Sequence, residues 1–152
     1  MDKEQIAGLY AQYARDVYRL ALSFLHSVHD AEDILQSVFL KLLQKNAAIF
    51  PGKEKAWLLT CTANACKNHL KSFWKRNAQQ LDEGMIFQTP EDRGLWEAVG
   101  KLKPIYRAVI HLYYYEGYGQ DEIAGILGIS RSAVQTRMQR ARKELEKELK
   151  NE

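Results

Sequence analysis

The segment from Arg131 to Lys143 interleaves arginine and lysine with Ser132, Gln135, Thr136 and Gln139. Arginine and glutamine can each make paired hydrogen bonds to a purine edge, so this set has the side chains needed to read a nucleic-acid base. At 100° per residue, one side of a helix here carries Ser132, Thr136, Gln139, Arg140 and Lys143, flanked by Gln135 and Arg137. Val134, Met138, Ala141, Leu145 and Leu149 fall on the other side. Arg131, Arg137, Arg142 and Lys143 stand where they would clamp phosphates, which positions a helix without reading sequence.

A recognition helix needs a second element to hold it. Upstream, Ile123, Ala124 and Leu127 share one stripe of a short helix. Gly128 follows the last apolar residue, where a left-handed conformation ends a helix at low cost. Ser130 then stands where its hydroxyl caps the next helix. Gly119 to Arg142 therefore reads as a helix-turn-helix, a unit that places side chains in the DNA major groove.

The rest of the chain bounds what this unit serves. With 152 residues, 46% hydrophobic and 27% charged, the chain fits one medium or two small soluble domains. The net charge of +3 is mild for a nucleic-acid binder. The charge is uneven: Lys67 to Arg76 holds four basic residues and no acid, whereas Gln80 to Glu97 is acidic. The basic run fits a surface for a polyanion or a solvated helix face, and global charge does not choose between them. No apolar run reaches bilayer length, and Met1 to Glu4 lacks the form of a signal peptide, so the expectation is a cytoplasmic protein.

Cys61 and Cys66 are five residues apart on one predicted helix, a geometry that would strain a disulfide, so two reduced packing cysteines are expected. His26 and His29 lack nearby ligands to complete a metal set, and neither metal nor cofactor is expected. Without a Gly-rich phosphate loop or a nucleophile with its base, the chain does not read as an enzyme.

Helical periodicity dominates, and the predicted fold class is all-α: two small helical domains joined by a short linker. A first helix spans Gln5 to Phe24, and residues 26–30 interrupt. Asp30 can cap a second helix whose buried stripe is Ala31, Ile34, Leu35, Val38, Phe39, Leu42 and Leu43. A loop at 46–53 precedes a third helix from Glu54 to Trp74, with Trp57, Leu58, Cys61, Ala65, Leu70 and Phe73 as core candidates. These make a domain over 1–76, followed by a linker over 77–90. The second domain, 91–152, is predicted as four helices: near Glu91–Leu102, near Pro104–Tyr115 with proline in its first turn, and the helix-turn-helix pair.

Taken in order, these features resemble the small bacterial RNA polymerase sigma factors of the extracytoplasmic-function (ECF) type, within the sigma-70 family. The resemblance runs from about Tyr10 to Leu149. In the first half it rests on YRLA at 18–21, DAEDILQSVF at 30–39, AWLL at 56–59, Asn64 and NHL at 68–70. In the second half it rests on LKP at 102–104, YYEG at 114–117, DEIA at 121–124, Leu127-Gly128 and Arg137 to Arg142.

The resemblance implies that the first domain binds core polymerase and the promoter −10 element, while the second binds the −35 element. Asp33 and Gln36 would be polar contacts to the coiled-coil of the largest polymerase subunit, with Phe39 mostly core. Asn64 and Asn68 would hydrogen-bond an unstacked −10 base, and Lys67, Lys71, Lys75 and Arg76 would attract the backbone. Gln135, Thr136, Gln139 and Arg140 would read −35 bases, within a contact set completed by Arg131, Ser132, Arg137 and Lys143. Implied partners are core polymerase, through its coiled-coil and flap, promoter DNA and an anti-sigma factor.

Three positions depart from the family pattern. Ser37 replaces a residue that is often acidic. Gln135 replaces a common Arg or Lys, which would shift preference from guanine towards adenine. Gly119 replaces the more usual serine cap, at a cost of a few tenths of a kcal/mol. A DNA-binding regulator that never docks on polymerase would share the helix-turn-helix, but would not need the Asp30–Phe39 and Asn64–Arg76 helices.

Overall fold

The computed structural model describes residues 1–45, 49–74 and 90–150, and all the regular structure among them is helical. The chain divides into two compact units, Met1–Asp82 and Glu83–Glu152.

In the first unit, α1 spans Lys3–Leu25, α2 Val28–Lys45 and α3 Glu54–Trp74. α1 begins at a capping box: Asp2 Oδ1 accepts from the Gln5 N–H at 2.8 Å, and Gln5 Oε1 accepts from the Asp2 N–H at 2.9 Å. It ends at His26, whose φ of 53° is left-handed and whose N–H donates to the Leu22 carbonyl. The turn is tighter than the predicted interruption at 26–30, and the cap of α2 is a different residue. Ser27 Oγ accepts from the Asp30 N–H at 3.2 Å, so Asp30 lies inside the first turn of α2 rather than before it. Its carboxylate instead meets His69 Nε2 on α3 at 3.3 Å.

The core of this unit joins Val17, Leu20, Ala21 and Phe24 of α1 to Ala31, Ile34, Val38, Phe39 and Leu42 of α2. α3 contributes Leu58, Leu59, Thr62, Ala63 and Cys66. This arc is rotated from the predicted one, since Trp57, Cys61, Ala65 and Leu70 are only half-buried. Thr62 explains part of the difference. Its hydroxyl donates to the Leu58 carbonyl at 2.7 Å, so a residue that counts as polar in a sequence can be fully buried. Leu43, predicted as core, is 49% exposed, because Ala31, Ile34, Val38 and Leu42 already fill the inward face of α2. Cys61 and Cys66 are both free thiols.

In the second unit, α4 spans Pro90–Gly100, α5 Pro104–Ile110, α6 Gln120–Leu127 and α7 Arg131–Lys150. Buried Arg107 closes the end of α4 by donating to the carbonyls of Gly100 and Leu102. Burial pushes this guanidinium down to about 10, still a cation at neutral pH. α5 stops earlier than predicted. It passes into one π-helical turn, His111–Tyr115, closed by the Glu116 N–H on the His111 carbonyl at 3.1 Å. Within this turn, Tyr113, Tyr114 and Tyr115 are all exposed.

The helix-turn-helix forms as its sequence dictates. The Gly119 N–H donates to Glu122 Oε1 at 3.1 Å, the half of a capping box available to a residue without a side chain. Gly128 takes φ 68°, a value that an L side chain rarely adopts. Ser130 Oγ accepts from the Ala133 N–H at 3.1 Å and caps α7. Val134, Met138 and Ala141 pack beneath α7 against a core that includes Ile123, Ile126 and Leu127 of α6. Towards the end of α7 the stripe thins: Leu145 is half-buried and Leu149 exposed.

Candidate nucleic-acid and polymerase interfaces

In the second unit, the buried stripe of α7 fixes which side chains can meet a ligand. Arg131, Ser132, Gln135, Thr136, Gln139, Arg140 and Lys143 are exposed, and Arg137 is half-buried at the edge. Thr136, Gln139, Arg140, Arg142 and Lys143 line one shallow depression open to solvent. All eight side chains expected at the −35 contacts thus lie off the buried residues of α7, and the sequence from Arg131 to Lys143 holds no carboxylate, although Asp121 of α6 lies beside Arg131.

Three of the basic and amide groups are already engaged within this unit. Arg131 Nε lies 3.6 Å from Asp121 Oδ1. Gln135 Nε2 donates to Gln120 Oε1 at 2.9 Å. Arg142 Nε donates to the Tyr114 hydroxyl at 2.8 Å, and its guanidinium stacks over both Tyr113 and Tyr114. Periodicity alone makes Arg142 a phosphate clamp. Its tyrosine partners are 28 and 29 positions upstream and could not be paired with it by sequence spacing.

In the first unit, Asn64, Asn68 and Lys71 are exposed and Lys67 is half-buried. Spaced by three and four residues, they form one polar stripe roughly opposite the core arc of α3. Lys75 and Arg76 lie outside the described residues, as does almost all of the predicted linker 77–90. The His69–Asp30 pair sits beside Asn68 and ties this end of α3 to α2.

On α2, Asp33 and Gln36 are exposed, as the polymerase-contact reading requires. Sequence reasoning missed their neighbours. Leu40 and Leu43 are 53% and 49% exposed and continue the same face at i+7 and i+10 from Asp33. Leu40 stands off the predicted stripe in the sequence, whereas Leu43 fits that stripe by spacing and is exposed only by the packing. Phe39 is buried and meets Tyr10 edge-on at 5.0 Å.

No group of three or more potential metal ligands occurs among the described residues, and no helix among them is long and apolar enough to cross a membrane. Burial raises the Cys66 thiol far above its ordinary range. It also raises Cys61, against the opposing pull of Lys41 and Lys45.

Residues 9–76 match Sigma-70 region 2, and residues 92–145 match Sigma-70, region 4. The chain belongs to the sigma-70 family. Several of its relatives are ECF RNA polymerase sigma factors. The chain is 29% identical over 150 residues to the ECF RNA polymerase sigma factor SigE of Mycolicibacterium smegmatis, covering 90% of this chain and 58% of that protein. It is 31% identical over 149 residues to the probable RNA polymerase sigma factor RfaY of Xanthomonas campestris, covering 88% of this chain and 37% of the relative. It is 28% identical over 162 residues to RNA polymerase sigma factor YlaC of Bacillus subtilis, covering 97% of this chain and 93% of the relative. The chain thus spans less than two thirds of SigE and RfaY but nearly the whole of YlaC.

The fold is that of known sigma factors. RpoE, in its complex with the anti-sigma factor NepR from Bartonella quintana, gives a TM-score of 0.81 at 19% identity, covering 97% of this sigma-70 chain and 98% of RpoE. CnrH, in complex with the cytosolic domain of CnrY, gives 0.71 at 24% identity, covering 99% and 91%.

Proposed function

We propose that this chain is a promoter-specificity factor that binds core RNA polymerase, recognises the −35 and −10 elements and assists strand opening. The observation that carries the reading is the presence of regions 2 and 4 of the sigma-70 family in one chain, supported by the exposure of Asn64, Asn68 and Lys71 on α3 and of Gln135, Thr136, Gln139 and Arg140 on α7. In the second unit, α7 lies in the major groove of the −35 duplex. Gln135, Thr136, Gln139 and Arg140 meet base edges, while Arg131, Ser132, Arg137 and Lys143 hold the backbone. In the first unit, Asn64 and Asn68 hydrogen-bond a −10 base taken out of the stack. Lys67 and Lys71, with Lys75 and Arg76, neutralise the strand that carries it.

The chain supplies binding energy and geometry and has no catalytic activity of its own; nucleotide addition belongs to the polymerase. It acts in the cytoplasm, associated with the nucleoid through polymerase. The α2 face of Asp33, Gln36, Leu40 and Leu43 docks on the largest-subunit coiled-coil, and the second unit meets the flap. This exposed face, half polar and half apolar, favours polymerase docking over a free-standing DNA-binding regulator. By analogy with RpoE and CnrH, an anti-sigma protein would occlude the polymerase-facing surfaces.

The full chain should be mixed with core polymerase and given genomic DNA fragments, and the 5′ ends of the transcripts sequenced. Start sites sharing upstream −35 and −10 sequences, absent with core enzyme alone, are expected. Co-elution without promoter-dependent transcripts would overturn the promoter role. Duplex binding without co-elution would favour the regulator.

A further inference from the structure

The first turn of α6 reaches the first turns of α7 through two polar ties. Arg131 meets Asp121 at 3.6 Å, and the Gln135 Nε2 donates to Gln120 Oε1 at 2.9 Å. Gln135 is exposed on the recognition face, and its backbone neighbour Val134 is fully buried. The base of the side chain is thus anchored by the core, and its amide is anchored by Gln120. A free glutamine carboxamide can rotate to offer either edge to a base, and so discriminates weakly. With one N–H committed to Gln120, Gln135 retains one N–H and the Oε1 acceptor. That is the pair adenine demands, one donor for N7 and one acceptor for the N6 amino group.

We propose that Gln120 is a positioning residue which orients the Gln135 carboxamide and thereby makes it select adenine at one position of the duplex. The inference rests on α7 being the duplex-reading helix and deepens that reading. Gln120 contacts no base. It acts by fixing beforehand an orientation that Gln135 would otherwise have to adopt on binding.

The test uses the full chain with core polymerase, selecting from duplexes randomised across the −35 region and scoring base preference position by position. The unsubstituted chain is expected to prefer adenine to guanine roughly tenfold at one position. Gln135→Ala abolishes that preference and leaves the other positions as they were. Gln120→Glu, which can only accept, keeps the Gln135 amide in place and retains the preference within about twofold, even though its charge weakens binding to every sequence. Gln120→Lys, which can only donate, must turn the amide over. It lowers the preference to about threefold or less while its charge strengthens binding generally.

A ratio that survives Gln120→Lys, or that collapses equally in Gln120→Glu, would overturn the role of Gln120. A Gln135→Ala variant with every preference intact would overturn it as well. Arg140→Ala separates this failure from that of the functional reading. If it shifts a different position, α7 reads duplex and only the Gln120 inference falls. If no position is selected by any form of the protein, the promoter-recognition reading falls and takes the inference with it.

Discussion

Arg142 Nε donates to the hydroxyl of Tyr114 at 2.8 Å, and the guanidinium carbon lies 5.6 Å from the centroid of the same ring. The cation thereby fastens α7 to the π-helical turn beside α5, although it sits in the basic face of the recognition helix. Arg142→Ala is expected to lower the stability of the second unit by about 0.5–1 kcal/mol in urea unfolding. It should change the salt dependence of DNA binding little. Arg137→Ala should do the reverse, reducing the slope of log K against log salt by about 1 with stability nearly unchanged.

Arg140 has no such partner among the contacts that hold Arg131 and Arg142, and it is exposed within the depression on α7. If it reads guanine, Arg140→Ala costs about 1–3 kcal/mol and relaxes preference at a single base. Competition between duplexes that differ at one position measures this. Uniform weakening across all of them would reassign Arg140 to phosphate.

Leu40 and Leu42 are two residues apart on α2 and face opposite environments, the first 53% exposed and the second fully buried. Leu40→Asp should leave thermal stability within about 0.5 kcal/mol. It should weaken co-elution with core polymerase at least about tenfold, as expected for an apolar contact replaced by a charge at an interface. Leu42→Ala should instead destabilise the first unit by about 2–5 kcal/mol through the cavity it leaves. Equal polymerase affinity for the unsubstituted and Leu40→Asp chains would remove Leu40 from the interface.

Arg107 holds the carbonyls of Gly100 and Leu102 from a buried position. Arg107→Met keeps much of the side-chain volume but strands those acceptors, and should cost about 1–3 kcal/mol in unfolding of the second unit. Far-ultraviolet circular dichroism against urea concentration, together with −35 duplex binding, would show whether the damage stays local.

Cys66 is buried with its thiol raised, and Cys61 is half-buried with a smaller opposing contribution from Lys41 and Lys45. Thiol labelling of the native chain should therefore proceed at Cys61 first and reach Cys66 only on unfolding. The raised Cys66 pKa means that the folded state keeps a proton which the unfolded chain releases near the ordinary value of 9.0. Its contribution to stability is therefore complete below that value and declines as pH rises above it. Between about pH 9 and 10 the loss should be about 1 kcal/mol, and Cys66→Ala should remove this part of the pH dependence.

Much of the architecture could be read along the chain because it depends on local spacing. The third helix was predicted over the range that α3 occupies, and the Gly128 turn and Ser130 cap stand where their conformational and hydrogen-bonding preferences put them. The exposed side of α7 was legible for the same reason, since Val134, Met138 and Ala141 can be buried on only one side of a helix. Errors arose where a residue's role depends on what faces it. Asp30 resembles a cap, but Ser27 takes that place and frees Asp30 for His69. Thr62 resembles a surface residue until the Leu58 carbonyl satisfies it.

The sequence by itself determined the all-helical class, the helix-turn-helix, the order of the family motifs and the side of α7 able to meet DNA. These follow from periodicities and caps that operate within a few residues. Only the tertiary structure decided that Arg142 belongs to Tyr114, that Gln135 is held by Gln120, and that Leu40 and Leu43 join Asp33 and Gln36 on an exposed face. The first two depend on contacts between residues 28 and 15 positions apart, and the third depends on which side of α2 the other helices cover. Local spacing carries no information about either, because hydrogen bonding and burial are set by the neighbour that folding brings into place.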